Sequence, residues 1–306
     1  MTAAVAETSR GRSRLMQRAA LAAVAVSAVL VALKAVAYIV TGSVAMMASL
    51  ADSALDLFAS SINLFAIREA LTPADREHRF GHGKAEPLAG LAQGAFIAGS
   101  ATFLVVESIG RIVSPRTVEH AAVGLAVMMF SIAAVLGLVF YQRLAVARTG
   151  SLAIRADRLH YLGDLLTNVG VALGIALSAR FGILIADPIV GLGVAAVLAT
   201  SAWSVFRQSY DQLMDRELPD DDRERIKAIV REHKDVRNLH DLRTRAAGIC
   251  RFIQLHMELD PAISLTRAHE VSDEVEQELL AAFPDAQVII HQDPAGLERP
   301  PPLARS

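Results

Sequence analysis

The sequence predicts an α-helical membrane protein with six transmembrane helices, followed by a small C-terminal α/β domain. Three observations predict it. The chain has 306 residues, is 53% hydrophobic with a mean hydropathy of +0.38, and carries only 20% charged residues. Apolar runs close to the ~20 residues that a bilayer demands recur through the first two thirds of the chain. From Arg216 onward the charges crowd together and the pattern becomes that of an ordinary water-facing domain.

The elements follow in order. Arg10, Arg12, Arg14 and Arg18 precede an apolar run from Ala19 to Val40. That run is too long for a signal-peptide core, so it reads as a retained span. Lys34 alone interrupts it and is expected to snorkel or to pair with a neighbouring helix. The six candidate spans lie near 17–40, 43–67, 88–112, 118–142, 150–179 and 183–206. Thr41-Gly42-Ser43 makes the first two an antiparallel pair, Pro73 ends the second, and Ser114-Pro115 separates the third from the fourth. Asp187-Pro188 reads as an N-cap followed by proline in the first turn. Arg68, Arg76, Arg79 and Lys84, then Arg143, Arg148, Arg155 and Arg158, fall on the same side as the N-terminal arginines. The positive-inside bias therefore puts both termini in the cytoplasm.

Beyond Pro219, Asp220 is expected to cap a helix carrying Ile226, Ile229 and Val230 at helical spacing. A strand near 236–245 turns at Ala246-Ala247-Gly248. Residues 249–259 then alternate apolar and polar as a half-buried strand does. A helix over 264–282 and a strand over 288–291 complete an αββαβ order with both helices on one sheet face. The expected domains are a disordered arm (1–16), the transmembrane domain (17–212), a cytoplasmic domain (213–294) and a disordered tail (295–306) around Pro300-Pro301-Pro302.

A net charge of −2 and a pI near 6.5 offer no polybasic surface for nucleic acid. The single cysteine, Cys250, excludes an intramolecular disulfide and any paired-cysteine metal site.

Chemistry concentrates in three places. Asp52 and Asp56 are four apart in the second span, and His160 and Asp164 are four apart in the fifth, so each pair shares a helix face. Ionisable groups inside a bilayer mark an ion or proton site by default. Three carboxylates and an imidazole suit Zn²⁺ or Cd²⁺, with Fe²⁺, Co²⁺ and Mn²⁺ as alternatives. Their formal charge is −3, which a dication reduces to −1, so protons are expected to enter as metal leaves. The second place is the loop after the second span, where Asp75, His78 and His82 are close enough in sequence to hold one metal. The third is the C-terminal domain, where His291 and Asp293 share a strand face and neighbouring strands can bring His240 and His256 beside them. Satisfied surface histidines are the alternative there.

Taken together, Ser49–Asn63, Arg76–Ala92 with its Phe-Gly-His-Gly-Lys-Ala-Glu-Pro, Arg155–Asn168, His240–Arg245 and Ile290–Pro294 resemble the cation diffusion facilitator family, in its bacterial zinc-exporting YiiP-type branch. The resemblance implies a homodimer in the inner membrane and a ferredoxin-like, metallochaperone-like cytoplasmic domain. It also implies export of Zn²⁺ by alternating access against inward proton movement. By position, Asp52, Asp56, His160 and Asp164 match the family's transport site, and Asp75, His78 and His82 its loop site. His240, His256, His291 and Asp293 match a binuclear site at the dimer interface, with His269 and Gln292 in supporting positions. Lys84 and Asp215 resemble an interlocking charge pair, and Leu159 a member of the hydrophobic gate. The competing reading is a membrane-anchored metal sensor or scaffold whose intramembrane metal is structural.

Overall fold

The computed structural model describes residues 3–41, 44–113, 122–181 and 186–296. Two compact units emerge, a helical one spanning Arg10–Tyr210 and a C-terminal one that includes Asp211–Ser306. The helical unit contains α1 (Ala3–Thr41), α2 (Val44–Ala70), α3 (Ala85–Val113), α4 (Ala122–Thr149), α5 (Leu152–Phe181) and α6 (Ala186–Leu213), of which α1 and α6 run past its borders. The arm expected to be disordered is helical from Ala3 and runs into α1, because nothing between it and the first span breaks a helix. The helices also extend past the apolar runs by up to a turn or more, since backbone pairing continues where hydropathy stops. The connections at Gly42-Ser43 and Ser114-Pro115, the Asp187 side chain and the tail from residue 297 lie outside the described residues.

Segments of α1, α2, α3, α4 and α6 are long and apolar enough to cross a membrane. Helix α5 is as long, at 30 residues, but carries Arg155, Asp157, Arg158, His160 and Asp164 and packs against α2, α3 and α4. A helix so charged is tolerable in lipid only when its polar face is turned to protein.

Local chemistry fixes how α5 begins. Gly150, at φ 68°, ends α4 in the left-handed conformation that glycine adopts without strain, and its N–H donates to Val146 O at 2.8 Å. Ser151 then caps α5, its Oγ accepting from Ile154 N at 3.3 Å. Glu86, in the first turn of α3 and 1% exposed, accepts from Ser151 Oγ at 2.5 Å and from Ala153 N at 3.2 Å. The carboxylate thus covers bare N–H groups at the positive end of α5. Further along, Gly163 faces Leu198 of α6 so closely that a Cβ there would collide with the leucine side chain. Lys34, 8% exposed, does not snorkel: its Nζ donates to Ser53 Oγ at 2.6 Å and Ser49 O at 3.2 Å, both on α2.

The C-terminal unit holds α7 (Asp220–Glu232), β1 (Asn238–Ala247), β2 (Cys250–Leu259), α8 (Leu265–Ala282) and β3 (Ala286–Pro294), the expected αββαβ order. Strand β2 is central, antiparallel to β1 and parallel to β3. Ile253, Leu255, Met257 and Leu259 on one face of β2 pack against Ile226 and Val230 of α7 and Val271, Val275 and Leu279 of α8. The opposite face carries Gln254, His256 and Glu258. Pro219, not Asp220, occupies the cap of α7; Asp220 is the first helical residue and accepts instead from Arg223 Nη1 at 3.0 Å. Ser264 caps α8, accepting from Arg267 N at 3.2 Å.

Candidate metal centres

The first cluster lies between α2 and α5. His160 Nε2 is 3.0 Å from Asp56 Oδ1 and 3.8 Å from Asp164 Oδ2, and the three residues each offer a ligand atom within 4.8 Å of the others. His160 is 6% exposed, and Asp164 Oδ2 is buried without a hydrogen-bond partner. Asp52 does not join the group and is exposed. A spacing of four residues puts it one turn along α2 from Asp56, at the edge of the cluster. Leu159, beside His160, packs with Ile97 and Ala101 of α3 and Leu198 of α6.

The second cluster lies in the loop between α2 and α3. Asp75 Oδ1 accepts from His78 N at 2.6 Å and Glu77 N at 2.9 Å, a turn in which the side chain stands in for a backbone carbonyl. Those donors, the His78 amide foremost, hold the Asp75 carboxyl below the usual aspartate range. The turn brings His78 Nδ1 to 3.4 Å from Asp75 Oδ1 and His82 Nε2 to 3.5 Å from Asp75 Oδ2, with the imidazole centroids 4.5 Å apart. Gly81, at φ 80°, makes the bend; Gly83 needs no such conformation. Glu69 Oε1, in the last turn of α2 and absent from the sequence reasoning, lies 3.6 Å from His82 Nε2.

In the C-terminal unit the register aligns His240 with His256 and His256 with His291, a row of imidazoles crossing all three strands. Ring centroids are 5.1 Å apart in the first pair and 4.6 Å in the second. Asp293, 3% exposed, sits at the centre of the contacts: its Oδ2 is 2.7 Å from His256 Nδ1 and 3.6 Å from His240 Nε2, and its Oδ1 is 3.1 Å from His291 Nε2. His240, His256 and Asp293 form the compact ligand group. His291 stands at its edge on the outer strand, 62% exposed. Two carboxylates that no sequence pattern marks also reach these imidazoles. Glu258 Oε1 is 3.3 Å from His240 Nδ1, and Asp241 Oδ2 is 3.9 Å from His256 Nε2. Asp241 is aimed there by a bulge between His240 and Arg243, at φ 47°.

The two supporting residues do not reach this face. Gln292 pairs in register with Met257, on the core side, and its Nε2 donates to Ser272 Oγ of α8 at 2.7 Å. His269 is exposed on α8, 3.6 Å from Asp273 Oδ2. Lys84 precedes α3 in the helical unit, and Asp215 lies in the C-terminal unit, where Arg245 Nη1 donates to its Oδ1 at 3.2 Å.

Membrane-crossing helices that share a carboxylate–imidazole cluster, joined to a domain with its own metal-ligand face, define a membrane transporter of metal cations. The comparisons give the particular family. Residues 20–214 match the cation efflux transmembrane domain and residues 218–295 the cation efflux protein cytoplasmic domain. The chain belongs to the cation efflux family. It is 45% identical to the cation-efflux pump FieF of Serratia proteamaculans over 93% of this chain and 95% of that one. Against the FieF pump of Shewanella oneidensis it is 46% identical over 90% and 93%. A solved metal-bound C-terminal domain of the CzcD transporter from Thermotoga maritima aligns at 32% identity over 26% of this chain and 93% of that one, with a TM-score of 0.25.

Proposed function

We propose that the protein exports Zn²⁺ from the cytoplasm in exchange for protons, by alternating access, as a homodimer in the inner membrane with both termini cytoplasmic. The observation that supports this most is the Asp56–His160–Asp164 cluster between α2 and α5. Mixed carboxylate and imidazole ligands suit Zn²⁺, and Cd²⁺ and Fe²⁺ after it, better than Mg²⁺ or Ca²⁺, which prefer more oxygens. Asp52, one turn away on the same helix, supplies the fourth ligand by swinging its carboxylate inward. When the dication leaves, three carboxylates cannot all stay ionised inside the bilayer at tolerable cost, so protons replace it. Leu159 is the gate residue beside the cluster, and Lys84 and Asp215 form the charge pair that ties the dimer near the membrane surface. The loop group Asp75, His78 and His82 binds metal at the water-facing end of α2.

Protein reconstituted in liposomes tests the exchange. An imposed pH gradient should drive zinc flux, and Asp164→Ala should abolish that flux while the protein remains folded. Zinc flux indifferent to the gradient refutes proton coupling.

A further inference from the structure

Asp157 lies on α5, three residues before His160, 0% exposed and outside every ligand cluster described above. Its Oδ2 accepts from Gln142 Nε2 of α4 at 2.6 Å, and its Oδ1 from Gln93 Nε2 of α3 at 3.3 Å. Ser60 Oγ of α2 is 3.4 Å from Oδ1. None of these partners is a cation. The ionisable groups that interact with it are His160 and Tyr161 on its own helix and Asp56 on α2; from α3 and α4, among the described residues, the two glutamines reach it. A carboxylate anion so placed would be cut off from water, and the one imidazole near it, His160, is already engaged by Asp56 and Asp164.

The hydrogens can be counted along the chain of hydroxyls that reaches Asp157. Ser27 Oγ of α1 donates to Ala23 O at 2.9 Å, and a carbonyl can only accept. Having spent its one hydrogen, Ser27 must accept from Tyr161, to which it is bonded. Tyr161 in turn has none left for Ser60, 2.7 Å away, so Ser60 donates to Tyr161. The contact between Ser60 and Asp157 is then a hydrogen bond only if Asp157 brings the proton.

We propose that Asp157 is a positioning residue held as a neutral carboxylic acid, whose proton completes the hydrogen-bond chain that fixes the turn of α5 bearing His160. The role rests on the reading of Asp56, His160 and Asp164 as the transport cluster. Side chains from α1, α2, α3 and α4 converge on this one turn, so it is held from four directions. Neutrality keeps a further anion from competing for a dication one helical turn away. The chain stops at the Ala23 carbonyl, which has no proton to pass on, so it acts as a clamp and not as a proton wire.

Infrared spectra of the full-length protein in lipid nanodiscs test this, comparing wild type with Asp157→Asn and assigning bands by ¹³C-aspartate labelling. With zinc bound, so that the transport carboxylates stay ionised, the wild type should show the carbonyl stretch of a protonated carboxylic acid from mildly acidic to mildly alkaline pH, and Asp157→Asn should lack it. Asn also presents a donor and an acceptor, so that variant should transport zinc within about threefold of wild type. Asp157→Ala, which strands the two glutamines, should lose about tenfold or more. Identical wild-type and Asp157→Asn spectra overturn the proposal, as does a folded Asp157→Asn protein that no longer transports. Wild-type flux that ignores a pH gradient would instead count against proton coupling and leave the infrared result standing.

Discussion

Spacing identifies Asp56, His160 and Asp164 because residues four apart on a helix share a face, and that relation survives folding. Asp157 could be found only by helical phase. In Arg155-Ala156-Asp157-Arg158 it reads as one more charge in a basic connection, and only its place one turn before His160 puts it inside the bundle. Glu69, Glu258 and Asp241 were invisible for another reason: each reaches a histidine from an element that tertiary structure alone brings near. Cys250 is the single cysteine of the chain. It is half-buried, and burial first, with nearby Asp285 second, pushes its thiol up from the ordinary cysteine range. Iodoacetamide should therefore alkylate it slowly at neutral pH, with the rate still climbing above pH ~8.5, as peptide mass spectrometry would show.

The helix and strand order was legible throughout, since apolar length marks the spans and alternation marks β2. The devices that join one element to another were not. Glu86 is an example, a first-turn acid of α3 that satisfies the start of α5. Glu86→Ala would leave the Ser151 hydroxyl hydrogen and the Ala153 N–H buried and without an acceptor, and should lower stability in detergent by about 1–3 kcal/mol, measured by thermal unfolding. Arg267 plays a comparable part on α8. It donates to Asp235 Oδ2 at 2.6 Å, Glu270 Oε2 at 3.1 Å and Glu274 Oε1 at 3.0 Å, tying the helix to the segment before β1. Its bond holds the Asp235 carboxyl below the usual range. A lowered folded-state value means that the contribution is complete above the unfolded aspartate range and is lost as pH falls through the folded one. Arg267→Ala should therefore unfold at lower temperature than wild type near neutrality, and the gap should close below about pH 4.

At the scale of the whole molecule, charges crowd together after Arg216, while the helical unit gives way to the C-terminal one at Asp211. The sequence could not supply strand register, and register is what aligns His240, His256 and His291 in one row. If that face binds metal between two copies of the chain, zinc at a hundred times its Kd should stabilise the C-terminal unit by about 2.7 kcal/mol. His240→Ala combined with Asp293→Ala should remove both that gain and zinc-strengthened self-association, as calorimetry and light scattering with and without chelator would reveal. Unchanged association would refute the dimer clamp. The acid from α3 that seats the beginning of α5 also limits how such a pump can rock. Sliding these two staves apart would strip amide hydrogens bare in a dry interior, so under the proposed alternating access they would travel as one rigid piece, with hinging against other neighbours.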